Sequence, residues 1–248
     1  MTVPKIDSDR LWADIIALAE VTEPGRPYTR RSFTPLFDEG RRRLIEWVEA
    51  LGASVRIDAG GNLIARIEGT EQGLPAIAIG SHTDTVPAGG RFDGIAGVLA
   101  GLAVMRALVE AGERLRHPFE LIDCLAEEPS EFGVSCIGSR AIAGQLTPAM
   151  LDQRDPAGRR LSDAIREVGG DPERLAEARR EDLGAFLEVH IEQGPVLESG
   201  ALDIGIVSSI VGIRRLEIRF TGAAGHAGTS PMHLRRDAAY AGALALVG

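Results

Sequence analysis

The sequence predicts an α/β fold, a mostly parallel, twisted sheet flanked by helices, and three observations predict it. Short apolar runs of strand length alternate with longer stretches of helical periodicity through residues 1–210. Three of those runs carry ionisable residues at or near their ends: His82 with Asp84, Glu127 with Glu128, and His190. In open α/β sheets ligands gather beyond the carboxyl ends of strands, so these groups are expected to meet. Residues 211–248 then offer one strand and one helix, too little to bury a core alone. They read as the start of a second, α+β domain in a chain that looks C-terminally truncated.

Asp7 or Ser8 can cap a first helix with Leu11, Ile15 and Leu18 on its apolar face. Thr34-Pro35 supplies an N-cap and a first-turn proline for a helix running to Leu51. Residues 54–58 and 62–67 form a hairpin-like pair around Ala-Gly-Gly. The run Ala76–Gly80 is a buried strand, followed by a Pro- and Gly-rich loop and an apolar helix over 94–111. Phe119–Ala126 (FELIDCLA) is a second buried strand. Small helices are expected around 137–152, 160–168 and 172–180, then a strand at 185–191. Further strands are expected at 204–208 and 211–220, the second alternating through Ile213, Leu216, Ile218 and Phe220. A last helix opens at Pro231.

Of 248 residues, 44% are hydrophobic and 25% charged, the make-up of an ordinary globular chain. A formal net charge of −9 gives a nucleic-acid role no electrostatic support. The arginine clusters Arg30–Arg31, Arg41–Arg43 and Arg179–Arg180 lie among acids and read as solvated faces. Two cysteines, Cys124 and Cys136, are too few for a disulfide framework. The N-terminus lacks an apolar signal core and no run reaches membrane-span length, so a cytoplasmic location away from membranes is expected.

His82, Asp93, Glu128 and His190 are candidate metal ligands. Imidazole and carboxylate donors suit Zn²⁺ or Mn²⁺, and the two oxygens of Asp93 could bridge two ions. Asp84 can accept the second ring N–H of His82 and orient it. Glu127, left without a metal, is placed to be a general base. Each has a plainer reading: Asp93 as a helix N-cap, Glu127-Glu128 as a solvated acidic loop, His190 as a core histidine. His226 sits among Gly222, Gly225 and Gly228, which allow a tight loop presenting an imidazole. A phosphate cradle is the rival, but no lysine follows in the Walker position.

Four stretches, GSHTDTVPAGGRFDGIAGVLAGL, AEEPSEFGVSCIGSRAIAG, EVHIEQGPVLE and GAAGHAGTSPMHLRRDA, resemble the hydantoinase/carbamoylase group of dinuclear metal amidohydrolases. That group includes N-carbamoyl-L-amino-acid hydrolases, allantoate amidohydrolases and β-ureidopropionases, and is related to aminoacylase and carboxypeptidase-type metallopeptidases. The resemblance implies a metallopeptidase-like catalytic domain, with 211–248 opening a lid and dimerisation domain. It implies that His82 and His190 hold one metal, that Asp93 bridges, and that Glu128 holds the second metal. Glu127 would be the general base and Asp84 would stand behind His82. Gln193 would contact substrate, and His226 would stabilise the oxyanion, typically in the site of the partner subunit of a homodimer.

The cofactors so implied are two divalent ions, Zn²⁺ or else Mn²⁺, Co²⁺ or Ni²⁺. A last histidine ligand and a substrate-reading arginine of full-length relatives are absent from this sequence, so weak occupancy of the second position is expected. The expected activity is hydrolysis of the carbamoyl C–N bond of an N-carbamoyl-L-amino acid. Allantoate or β-ureidopropionate is the alternative substrate, and a catalytically inert chain binding a single metal is the alternative of another class.

Overall fold

The computed structural model describes residues 3–212, 214 and 216–247, and the chain divides into two compact units, Met1–Val196 and Leu197–Gly248. In the first unit, helix α1 (Ser8–Ala19) starts where the Asp7 carboxylate accepts the Arg10 N–H, and buries Ile15 and Leu18. Helix α2 (Pro35–Glu49) starts where Thr34 Oγ1 accepts the Phe37 N–H, with proline in its first turn.

Five strands, β1 (Ser54–Ile57), β2 (Leu63–Ile67), β3 (Ala76–Ser81), β4 (Phe119–Asp123) and β5 (Leu183–Leu187), make a sheet of order β1-β2-β4-β3-β5. β3 lies parallel to both β4 and β5, while β1–β2 and β2–β4 are antiparallel. The parallel part therefore holds the strand ends bearing the ionisable residues, and the hairpin makes the sheet mixed. Helix α3 (Ile95–Glu110) provides the crossover that a parallel β3–β4 pair requires. It packs with α1 and α2 on one face of the sheet, around Leu18, Leu44, Leu63, Leu99, Leu102 and Leu121.

Ile64, Ala78, Ile122 and Cys124 point to the opposite face, as the two-residue period of a strand demands. Beyond them α4 (Ile137–Ile142), α5 (Pro148–Leu151), α6 (Leu161–Glu167) and a 3₁₀ turn (Pro172–Ala178) pack around Leu125, Ile137, Leu161 and Ile165.

One arginine of each cluster departs from the sequence expectation, while Arg31, Arg42 and Arg179 are solvated as expected. Arg30 is fully buried, and its guanidinium donates to main-chain carbonyls: Thr83 from Nε and Nη2, Leu18 and Val21 from Nη1. Arg41, also buried, pairs with Asp123 at 2.8 Å and donates to the carbonyls of Gly61 and Asp123. The Arg180 side chain is buried against Glu120 and Asp182. Fixed internal acceptors replace water around each of these cations, which is what permits their burial.

In the second unit a short helical turn, α7 (Val196–Ser199), begins at the last residue of the first unit, and a 3₁₀ turn (Met232–Leu234) precedes α8 (Ala238–Val247). The expected strands at 204–208 and 211–220 do not form among the described residues, and Ile213 lies outside them. A strand needs a hydrogen-bonded neighbour, and the described residues of these segments join no ladder; Ile206 is 94% exposed. The last helix starts at Ala238 rather than Pro231, because Met232–Leu234 closes as a separate turn. No helix among the described residues is long and apolar enough to cross a membrane.

Candidate metal centre

His82 stands one residue past the end of β3 and is 1% exposed. Its Nδ1 lies 2.9 Å from the main-chain oxygen of Asp84, so Nδ1 donates, and Nε2 is the nitrogen that offers a lone pair once the ring is neutral. The Asp84 carboxylate is farther from the ring, at 3.6 Å. It instead accepts two main-chain N–H groups just past β4: Glu127 on Oδ1 and Glu128 on Oδ2, both at 3.2 Å. Asp84 thus ties the loop after β3 to the loop after β4, and sets the two glutamates beside His82. Glu127 Oε2 stands 3.8 Å from His82 Nε2.

Two glycines make room for the cluster. Gly94, with φ +66, lies against the imidazole of His82, and a Cβ there would fall on the ring. A Cβ at Gly97 would collide with the carbonyl of Val189, so this glycine lets the segment after β5 pass against the start of α3. The β5 ladder ends at Leu187 rather than 191, and the chain turns His190 toward Asp93: Nε2 to Oδ1 is 3.1 Å. The rings of His82 and His190 are 5.9 Å apart. Gln193, at φ 54, donates Nε2–H to Asp93 Oδ2 at 2.6 Å.

Two groups of donor atoms follow, each with all members within 4.8 Å: His82, Asp93 and His190; and His82, Glu127 and Glu128. Asp93 Oδ1 is buried and takes no hydrogen bond, although His190 Nε2 is close by. A buried carboxylate oxygen without a donor, facing imidazole nitrogens, fits a shared cation. Burial works against the charged form of His82, but Asp84 and Glu127 outweigh it and raise its pKa to about 9. Burial and the neighbouring Asp93 carboxylate raise Glu128 to about 7. Negative charge is in excess here, the field a divalent ion would neutralise.

The structure therefore gathers His82, Asp84, Asp93, Glu127, Glu128, His190 and Gln193 in the first unit. His226 belongs to the second unit, where its Nδ1 accepts the N–H groups of Gly228 and Thr229 at 3.1 and 3.3 Å, leaving the ring proton on Nε2. Sequence reasoning missed Cys136, whose Sγ lies 3.3 Å from Glu127 Oε1. Nine residues separate the two, with no periodic signal to join them.

The sequence pattern of peptidase family M20/M25/M40 matches residues 78–245. An N-carbamoyl-L-amino-acid amidohydrolase of Paenarthrobacter aurescens is 44% identical over 98% of this chain. A ureidoglycolate hydrolase of Oryza sativa subsp. japonica is 38% identical over 96% of it. The chain spans 60% of the first relative's length and 51% of the second's. The crystal structure of a hydantoinase/carbamoylase family amidase from Burkholderia ambifaria superposes with a TM-score of 0.77 at 35% identity, covering 99% of this chain and 60% of that one.

Proposed function

Because the chain belongs to peptidase family M20/M25/M40, we propose that it carries the metal-binding part of an amidohydrolase that cleaves the carbamoyl C–N bond of an N-carbamoyl-L-amino acid. The observation behind this reading is the buried Asp93 Oδ1, which takes no hydrogen bond and lies beside His82 and His190, with Glu128 feeling the Asp93 charge. His82, His190 and Asp93 would hold one divalent ion; Asp93 and Glu128 would hold a second, with Zn²⁺ first and Mn²⁺, Co²⁺ or Ni²⁺ as alternatives. When bound, such ions acidify a water molecule and polarise the substrate carbonyl.

Glu127, at the edge of the ligand cluster, accepts the proton of the attacking water and hands it to the leaving nitrogen. Asp84 fixes the main chain of that base. Gln193 contacts substrate in this reading, and the Nε2–H of His226 donates to the developing oxyanion. The released carbamate breaks down to ammonia and carbon dioxide. Pairing of two copies through residues 197–248, whose apolar side chains such as Ile206 and Leu246 are exposed, and a cytoplasmic location belong to the same reading.

A ureido acid is the second substrate reading, favoured by the likeness to a ureidoglycolate hydrolase. Ammonia release from N-carbamoyl-L-amino acids and from ureido acids, with Zn²⁺, Mn²⁺ or Co²⁺ added and bound metal counted per chain, tests both. Turnover that falls by about a hundredfold or more in Glu127→Gln, with metal retained, supports the reading. One tight metal and no turnover on either substrate supports an inert metal-binding chain instead.

A further inference from the structure

We propose that Cys136 is a positioning residue for Glu127, its thiol holding one carboxylate oxygen so that the other faces the metal cluster; the inference rests on the role given to Glu127 above. Glu127 is held at three points. Its N–H goes to Asp84 Oδ1, and its carbonyl accepts the Cys136 N–H at 2.8 Å. Its Oε1 accepts the Cys136 thiol proton at 3.3 Å, and its Oε2 stands 3.8 Å from His82 Nε2. The thiol thus selects which oxygen is turned toward His82. Its other neighbour, Ser135 Oγ, is farther away at 3.8 Å.

The residue that makes this contact has its backbone in an unfavourable shape. Its φ and ψ of 56 and 36° are left-handed, a region that favours glycine and costs other residues about 1 kcal/mol or more. Glycine would serve the turn into α4 better, and would lack the thiol. Ile137 N–H to the Ala126 carbonyl and Gly138 N–H to the Leu125 carbonyl clamp the same turn onto the end of β4. The cysteine is half-buried, and burial together with Glu127 pushes its thiol up, so the proton to be donated stays on sulfur.

Three substitutions separate this role from a structural one. Cys136→Gly relieves the left-handed strain, so the fold keeps its thermal stability, yet kcat is expected to fall about tenfold with KM within about twofold. Cys136→Ala removes the same donor without adding backbone freedom and is expected to match the glycine variant in kcat. Cys136→Ser keeps a donor and is expected to restore kcat to within about threefold of the parent chain. A glycine variant with parental kcat overturns the proposal.

A readout independent of turnover is the S–H stretching band in the infrared. The chain has two cysteines, and Cys124 is buried in the core. The band lost in Cys136→Gly is expected at lower wavenumber than that of a free thiol, and to move up in Glu127→Ala. A band that Glu127→Ala leaves in place overturns the proposal even if the chain turns over no substrate. If turnover is absent and the band shifts, the thiol contact stands and it is the hydrolase reading that fails for this chain.

Discussion

Asp84 carries Glu127: the aspartate Oδ1 accepts the glutamate's main-chain N–H at 3.2 Å, and its second oxygen does the same for Glu128. A carboxylate that is 1% exposed and satisfies two adjacent amides leaves both orphaned when it is removed. Asp84→Ala is expected to lower stability to urea by about 2–4 kcal/mol, and Asp84→Asn, which keeps one acceptor, by about half as much. Equal losses in the two variants would contradict the bidentate arrangement.

Gly94 is the contact surface of His82. Alanine there meets the imidazole and must also hold a φ of +66, so Gly94→Ala is expected to displace the ring. Zinc affinity by titration calorimetry should fall about 10- to 100-fold, the size usual when a ligand's support is lost. Unchanged affinity would show that the ring has another way to face the cluster.

His82 belongs to both donor groups and His190 to one. Metal content after dialysis should therefore drop to background in His82→Ala. His190→Ala should keep partial binding through His82, Asp93 and Glu128. Equal retention in the two variants would argue against a shared ligand.

Protons compete with metal at this centre, and the sign follows from the directions of the shifts. Glu128 lies at about 7, above its ordinary 4.5, and His82 at about 9, above 6.5. Both keep protons in the fold that the unfolded chain has already released. Their contribution to metal-free stability therefore declines as pH rises, through about 4.5–7 for Glu128 and about 6.5–9 for His82. Metal requires the unprotonated ligands, so the zinc-induced rise in Tm should grow across the same interval. Scanning calorimetry at about pH 5, 7 and 9 checks this, and a zinc effect largest at the acid end would contradict it.

Much of the first unit is legible in residue pattern. Asp7, Thr34-Pro35 and the apolar run at 76–80 place α1, α2 and β3 within a residue or two, because caps and periodicity are local properties, while the run at 119–126 starts β4 correctly and overshoots its end at Asp123 by three residues. What escaped depends on distant neighbours. The burial of Arg30 and Arg41 is set by carbonyls at Thr83, Leu18 and Gly61, which no charge pattern announces. Strands were expected at 204–208 and, from its apolar alternation, at 211–220, but pairing requires a partner that the pattern cannot supply. At the candidate centre the His-x-Asp spacing pointed to the imidazole. It could not tell that the main-chain oxygen of Asp84 would take the ring proton while the carboxylate reached across to Glu127 and Glu128.

The buried Arg30 guanidinium has one further consequence. It fastens the loop that carries His82 and Asp84 to the carbonyls of Leu18 and Val21, at the far end of the first helix. Residues 18–30 belong to neither donor group, yet a protease cut there would unmoor the segment that carries His82. Loss of the chelating pocket after such a nick would be an allosteric injury, inflicted from the amino-terminal wrapping.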